Sequence, residues 1–135
     1  MKKLRVGVIG IGFIGAAHVE ALRRLGYVDV VAVANHNNGA QKAKELFVEH
    51  GYDDYREMID KESLDAVHIC TPNNTHYEMA MYAMEHAVNV MLEKPFTITI
   101  EEAEKLCSYA KEHQIVTGVN HSLRMNPQVQ QMKAM

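Results

Sequence analysis

Short apolar runs alternate along the chain with longer stretches in which apolar residues recur every three or four positions. Short runs of this kind predict β-strands, and the wider spacing predicts amphipathic helices. The first run, LRVGVI at 4–9, is followed by apolar residues at helical spacing from Ile14 to Leu25. The other predicted strands are 29–34, 65–70, 88–92 and 115–119. The other predicted helices are about 39–50, 75–86 and 100–113. A short helix or turn is predicted at 52–60, and a last helix is predicted to start at Asn126-Pro127.

Strands that are apolar on both faces and separated by helices predict a parallel sheet with helices on both sides. Right-handed crossovers make such a sheet doubly wound. The expected fold class is therefore α/β, with a doubly wound, mostly parallel Rossmann sheet. Ligands of such sheets bind beyond the carboxyl ends of the strands, so the segments that follow the strands are the candidate site.

The segment GIGFIG at 10–15 follows the first predicted strand directly and opens the first predicted helix. This context favours a dinucleotide-binding loop over a chance G-x-G-x-x-G. Gly10 would permit the tight turn, Gly12 the close approach of a pyrophosphate, and Gly15 the packing of helix against strand. Phe13 and Ile14 would lie beside the phosphates at the helix N-terminus. A glycine-rich turn that binds nothing is the alternative.

The second predicted strand ends in Asn35 and His36, where a dinucleotide site usually has an acidic residue that binds the adenosine ribose. Asn35 can bond a ribose hydroxyl but has no charge to repel a 2′-phosphate. A protonated His36 would attract that phosphate. The choice between NAD and NADP stays open.

Two further polar segments follow strands. In CTPNNTH, Pro72 stiffens the strand exit, Asn73 offers its amide, and Thr75 is a plausible N-cap, although a plain strand–turn–helix connection explains the same residues. In EKP, Lys94 is a candidate to bond a substrate hydroxyl and help shift its proton. A surface ion pair with Glu93 is the alternative.

Together, GIGFIG and TPNNTHYEMAMYAMEHAVNVMLEKP resemble the glucose–fructose oxidoreductase/inositol dehydrogenase (Gfo/Idh/MocA) family over about residues 4–132. The resemblance implies that Lys94 helps bind and polarise the hydroxyl being oxidised. It also implies that the TPN segment lines the cofactor and that Glu93 lies near the nicotinamide ribose. The residues in register with the family motifs are Thr71, Pro72, Asn73, His76, Glu93, Lys94 and Pro95.

The sequence departs from the family pattern at three places. Asn35 stands where NAD-preferring members often have aspartate. In HSLRMNP at 121–127, Leu123 replaces the first arginine of a typical N-R-R-F-D-P, and Arg124 is left as a candidate cofactor contact. Family members also continue into a second domain that carries a catalytic histidine, and no such domain follows here. We therefore expect a dinucleotide-binding domain at 1–120 and a truncated linker or helix at 121–135.

Composition narrows the possible functions of the 135 residues. The net charge of −3, with basic residues scattered, gives no footprint for nucleic acid. No segment reaches the ~20 apolar residues that cross a membrane. The two cysteines match no CxxC or metal-binding pattern. We expect a cytoplasmic protein without a bound metal.

The expected function is the NAD- or NADP-binding half of an oxidoreductase that moves a hydride between the nicotinamide and a sugar or cyclitol hydroxyl. The isolated chain is expected to be inactive, and the complete enzyme to be a homo-oligomer. A stand-alone dinucleotide-binding sensor or partner module is the alternative. A Rossmann-type methyltransferase is a weaker third candidate, because it has no use for EKP.

Overall fold

The computed structural model describes residues 2–120, which contain six strands and five α-helices. The strands are β1 (Leu4–Ile9), β2 (Val28–Ala34), β3 (His50–Tyr52), β4 (Ala66–Ile69), β5 (Asn89–Glu93) and β6 (Thr117–Asn120). The helices are α1 (Phe13–Arg24), α2 (Gly39–Glu45), α3 (Tyr55–Lys61), α4 (His76–Glu85) and α5 (Ile100–His113), with a short 3-10 helix at Asn73–Thr75.

The six strands form one sheet in the order β3-β2-β1-β4-β5-β6, and every pair is parallel. Strands β2 and β3 are added in turn on one side of β1, and the chain then crosses over so that β4, β5 and β6 are added on the other side. The strand order therefore reverses between β1 and β4, which is where doubly wound sheets bind ligands. The prediction of a doubly wound parallel Rossmann sheet is confirmed.

Two apolar cores lie on the two faces of the sheet. Successive side chains of a strand point to opposite faces, so the neighbours Val8 and Ile9 of β1 belong to different cores. Val8 packs with Val19 of α1 in the core on the α1 and α2 side. Ile9 belongs to the core on the side of α3, α4 and α5, which also contains Met58. Strand β1, which leads into the glycine loop, thus contributes side chains to both cores.

The two faces of β4, β5 and β6 are covered unequally within the described residues. On the face of α4 and α5, Val67 and Leu92 are fully buried. On the opposite face His68, Met91 and Gly118 lie side by side on paired strands, and all three are only partly buried. The expected coverage of both faces is complete only around β1 and β2.

The structure differs from the prediction between residues 39 and 52. Helix α2 ends at Glu45 instead of near residue 50, because Phe47 takes a positive φ of 57° and the chain leaves the helical path. The following residues His50–Tyr52 form β3, which pairs with the end of β2 and was not predicted. Gly39 allows α2 to approach this strand, since a Cβ there would lie 1.8 Å from the Tyr52 carbonyl oxygen.

None of the helices in the described range is long and apolar enough to cross a lipid bilayer.

Candidate functional site

A cleft of about 730 Å³ lies beyond the carboxyl ends of β1, β2 and β4. This size falls within the ~300–1,000 Å³ typical of small-molecule sites. The residues that line it come from the glycine loop, the end of β2, the start of α3 and the segment after β4. They are Ile9, Gly10, Gly12, Ala34, Asn35, His36, Asn37, Asp53, Asp54, Tyr55, Arg56, Cys70, Thr71, Pro72, Thr75 and Met79.

The glycine loop is a tight turn packed against its own helix. Gly10 has a φ of +86°, in the left-handed region that favours glycine, and its amide donates to the Ala34 carbonyl at 2.8 Å. A Cβ on Gly15 would lie 1.9 Å from the Gly10 carbonyl oxygen, so helix α1 can approach the turn only because residue 15 is glycine. These two positions serve the fold itself.

Gly12 differs from its neighbours because a Cβ there would meet nothing within 4 Å. Gly12 is the N-cap of α1, which has no side-chain cap and no acidic residue in its first turn. Within the described residues the first amides of α1 thus have no side-chain partner, which leaves them free to donate to a pyrophosphate. Phe13 and Ile14 lie in this first turn, and Phe13 is 89% exposed.

Asn35 is bonded within the protein. Its side-chain oxygen accepts from the Ile11 amide at 2.7 Å, and its side-chain nitrogen donates to the Asn38 side-chain oxygen. The side chain thus ties the glycine loop to the turn after β2. This role was not predicted, and no sequence signal distinguishes it from the predicted ribose contact. His36 is exposed at the cleft wall.

The start of α3 forms a wall of the cleft that sequence analysis missed. Asp54 caps this helix by accepting from the Arg56 amide at 2.9 Å, and Asp53 accepts from the Gly39 amide at 2.9 Å. The Arg56 guanidinium lies 4.7 Å above the Tyr55 ring and pairs with Glu78 of α4. Burial, followed by the Glu78 carboxylate, raises the pKa of Tyr55 to about 12, so its hydroxyl stays protonated.

Hydroxyl groups organise the segment after β4. The Thr75 hydroxyl lies 2.6 Å from the Pro72 carbonyl oxygen and 2.7 Å from the Thr71 hydroxyl. Thr75 is the N-cap residue of α4, as predicted, but its side chain bonds no amide of the helix. Its hydroxyl is engaged instead with the preceding 3-10 segment. Thr71 and Pro72 line the cleft, and Asn73 is exposed beside it.

His76 is buried completely between two loops of the site. Its Nε2 lies 3.0 Å from the Thr71 carbonyl oxygen, and its Nδ1 lies 2.8 Å from the Pro95 carbonyl oxygen. Both ring nitrogens therefore have protein partners. This geometry gives His76 the task of joining the segment after β4 to the EKP segment after β5.

Glu93 ends β5, and its carboxylate is bonded on the side of α1. Its Oε1 accepts from the Asn120 amide group at 2.8 Å and lies 2.5 Å from His18 Nε2. Burial by itself raises the pKa of Glu93, but the hydrogen bonds from Asn120 and His18 outweigh it and the pKa is lowered. The carboxylate is thus ionised at neutral pH. Lys94, next in the chain, is exposed.

Cys70 lines the cleft but carries an unreactive thiol. Burial, together with the nearby Glu93 charge, raises its pKa to about 12, so the nucleophilic thiolate does not form at neutral pH. The predicted contact Arg124 lies outside the described residues, as do the predicted linker at 121–135 and its helix.

The open space at Gly12, the free helix amides and the cleft at the reversal of strand order all fit a bound dinucleotide. The family model described as "Oxidoreductase family, NAD-binding Rossmann fold", that of the Gfo/Idh/MocA proteins, matches residues 4–121. The chain belongs to the Gfo/Idh/MocA oxidoreductase family. The cleft is accordingly that of an NAD-binding Rossmann domain.

Three relatives of this Gfo/Idh/MocA chain show how far the similarity extends. UDP-N-acetylglucosamine 3-dehydrogenase of Acidithiobacillus ferrooxidans is 32% identical over 98% of the chain and 42% of its own length. Levoglucosan dehydrogenase of Pseudarthrobacter phenanthrenivorans is 33% identical over 96% of the chain and 36% of its own length. The crystal structure of myo-inositol 2-dehydrogenase from Lactobacillus plantarum superposes with a TM-score of 0.88 at 33% identity, covering 98% of the chain and 40% of that protein. The chain therefore spans about two fifths of the length of these relatives.

Proposed function

We propose that this chain is the cofactor-binding part of an enzyme that transfers a hydride between a nicotinamide cofactor and a sugar or cyclitol hydroxyl. The support is the membership of the Gfo/Idh/MocA family, together with relatives named for a nucleotide sugar, an anhydrosugar and an inositol. Because the chain spans about two fifths of those relatives, the remaining parts of the reaction would come from outside it. We expect the isolated chain to bind the cofactor weakly and to catalyse nothing.

The observation that carries this proposal is the contrast between Gly12 and Gly15. A side chain at residue 15 would overlap the Gly10 carbonyl oxygen, whereas a side chain at residue 12 would meet no protein atom. Glycine at residue 12 is thus unexplained by packing within the described residues. A ligand that approaches the backbone closely, as a pyrophosphate does, accounts for it.

The residues after β5 would supply the chemistry at the other end of the cofactor. When bound, the nicotinamide ring supplies the acceptor for a hydride. Lys94 Nζ would bond the oxygen of the substrate hydroxyl and stabilise the negative charge that develops there as its proton passes to a base supplied from outside this chain. The ionised Glu93 would accept a hydrogen bond from the ribose that carries the nicotinamide.

The dinucleotide-binding domain would comprise residues 1–120, and residues 121–135 would begin the connection to a substrate domain. The complete enzyme would be a homo-oligomer, which the partly buried face around Met91 would help to form. Arg124 would contact the cofactor. The protein would act in the cytoplasm.

The test is a pair of glycine variants titrated with NAD and NADP. Gly12→Ala should leave the free energy of unfolding within about 1 kcal/mol of wild type, since its Cβ enters open space, but should weaken nucleotide binding by about tenfold or more. Gly15→Ala should lower the free energy of unfolding by several kcal/mol. S-adenosylmethionine serves as the control ligand.

Two outcomes would contradict the proposal. If the wild-type chain bound S-adenosylmethionine but no nicotinamide nucleotide at millimolar concentration, the glycine loop would serve a different cofactor. If Gly12→Ala bound NAD as tightly as wild type, the open space at residue 12 would not be where the pyrophosphate binds.

A further inference from the structure

Four side chains from four different elements form a hydrogen-bonded row on the α1 side of the sheet. His68 of β4 and His18 of α1 lie 2.8 Å apart between their Nδ1 atoms. The other ring nitrogen of His18, Nε2, lies 2.5 Å from Glu93 Oε1 at the end of β5, and Asn120 of β6 donates to the same oxygen. The His18 and Glu93 side chains are only 11% and 19% exposed.

The chemistry of these groups fixes the direction of the hydrogen bonds. An ionised carboxylate can only accept, so His18 must carry a hydrogen on Nε2 and donate it to Glu93. Burial, with the nearby His18 ring, lowers the pKa of His68 to about 4, so His68 is neutral at neutral pH. When His18 is also neutral, its Nδ1 accepts from His68 Nδ1. The row then donates in one direction, from His68 through His18 to Glu93.

The His18–Glu93 contact joins the two halves of the proposed cofactor site. His18 is the sixth residue of α1, whose N-terminus faces the phosphate end of the cleft. Glu93 directly precedes Lys94, at the opposite end of the proposed site. Both His18 and Asn120 bond Oε1, and no side chain within residues 2–120 donates to Oε2 of the same carboxylate. The Lys94 backbone amide also donates to this carboxylate. Of the roughly four acceptor sites of a carboxylate, His18, Asn120 and this amide take three, which leaves one for a ligand.

We propose that His18 is a positioning residue, which orients the Glu93 carboxylate toward the ribose next to the nicotinamide, and that His68 orients the ring of His18. The inference rests on the proposed function, because it assumes that a dinucleotide occupies the cleft. Neither histidine belongs to one of the sequence motifs. His18 would hold Glu93 Oε1, and His68 would hold His18 Nδ1.

A purely structural role for the row makes a different prediction. If His18 only fastened α1 to β5, its loss would disturb the whole helix, including the amides at its N-terminus. The binding of every ligand with a pyrophosphate would then weaken to the same extent. A positioning role affects only ligands that reach Glu93. ADP contains the pyrophosphate but lacks the nicotinamide ribose, so it separates the two roles.

The experiment measures dissociation constants of NAD and ADP by NMR titration of the complete 135-residue chain. His18→Leu should weaken NAD binding by about tenfold, because hydrogen bonds to charged groups are among the stronger ones, and should change ADP binding by less than about twofold. His18→Gln, which keeps a donor near the position of Nε2, should restore most of the NAD affinity. His113→Gln, an exposed histidine at the end of α5, is the matched control.

The outcomes separate this inference from the proposed function. If His18→Leu weakened NAD and ADP binding equally, or weakened neither, the positioning role would be overturned. The proposal that the wild-type chain binds NAD would still stand. A wild-type chain that does not bind NAD would overturn the proposed function itself. If His18→Leu does not fold, the wild-type chain provides the test. NAD should then shift the ring-proton signals of His18 more than ADP does, and equal shifts would overturn the inference.

Discussion

The side-chain oxygen of Asn35 accepts a hydrogen bond from the backbone amide of Ile11, across 2.7 Å. Residue 35 was chosen from the sequence as a ribose contact, but its geometry shows that it also fastens the glycine loop. An aspartate can accept the same bond with its carboxylate. The requirement for an oxygen at this position is therefore independent of the cofactor that is bound.

We predict that Asn35→Asp increases the preference for NAD over NADP by about tenfold. The carboxylate keeps the bond from Ile11, accepts from a ribose hydroxyl and repels a 2′-phosphate. Titration of both nucleotides gives the ratio of affinities. An unchanged ratio would show that residue 35 does not face the ribose.

Asn35→Leu is the control that separates the two tasks of this side chain. It leaves the Ile11 amide without its acceptor, which should lower the free energy of unfolding by about 1–3 kcal/mol. It should also weaken NAD and NADP binding equally, because the glycine loop serves both. Urea denaturation and the same titrations measure these effects.

The second prediction concerns His76, whose two ring nitrogens face the Thr71 and Pro95 carbonyl oxygens. His76→Leu keeps apolar bulk but removes every donor between these carbonyls. We expect the free energy of unfolding to fall by about 2 kcal/mol or more, as for buried polar groups left without partners. Urea denaturation measures this. An unaltered stability would mean that water replaces the imidazole.

Most of the fold could be predicted from the sequence because the apolar runs of five strands are distinct. Strand β3 could not, since its three residues, His50–Tyr52, contain no apolar run and gain their strand character only by pairing with β2. The early end of α2 was missed for a similar reason. The positive φ of Phe47 is unusual for an aromatic residue. It belongs to a turn in which the Val48 amide donates to the Ala43 carbonyl and the distant Arg23 donates to the Phe47 carbonyl.

The parts of the site that consist of a local motif were predicted. The parts that are assembled from residues far apart in the sequence were missed. GIGFIG, TPN and EKP each lie at or just beyond the end of a strand, and the topology of a parallel sheet brings such segments to one edge. The contact between His18 and Glu93 joins residues 75 positions apart. This contact forms because α1 lies against the face of the sheet that contains the end of β5. No spacing of residues in the sequence indicates it.

The third prediction is a loss of stability in mild acid caused by His68. In the folded protein its pKa is lowered to about 4 by burial and by the nearby His18, whereas an unfolded chain takes up this proton near the ordinary pKa of 6.5. Between pH 6.5 and pH 4 the unfolded chain therefore binds a proton that the folded protein does not. The free energy of unfolding keeps its full value above pH 6.5 and falls as the pH drops from 6.5 toward 4. The decline should be up to about 1.4 kcal/mol per pH unit from this residue.

Urea denaturation between pH 7 and pH 4.5 measures this slope. His68→Asn places a donor near the position of Nδ1 but cannot titrate, so it should show a shallower decline than wild type. His113→Gln, at an exposed position, should decline as wild type does. Equal slopes in all three proteins would mean that His68 takes up its proton in the folded state as readily as in the unfolded chain.

The last prediction concerns Lys94, for which sequence analysis left open a surface ion pair with Glu93. In the described residues the Glu93 side chain bonds His18 and Asn120 instead, and Lys94 is exposed. Lys94→Met should therefore leave the melting temperature nearly unchanged. In a complete enzyme containing this domain it should lower turnover by about 10²-fold, the scale of a lost acid–base contribution. An ion pair would give the reverse, with stability reduced by up to ~1 kcal/mol and hydride transfer unaffected in single-turnover measurements.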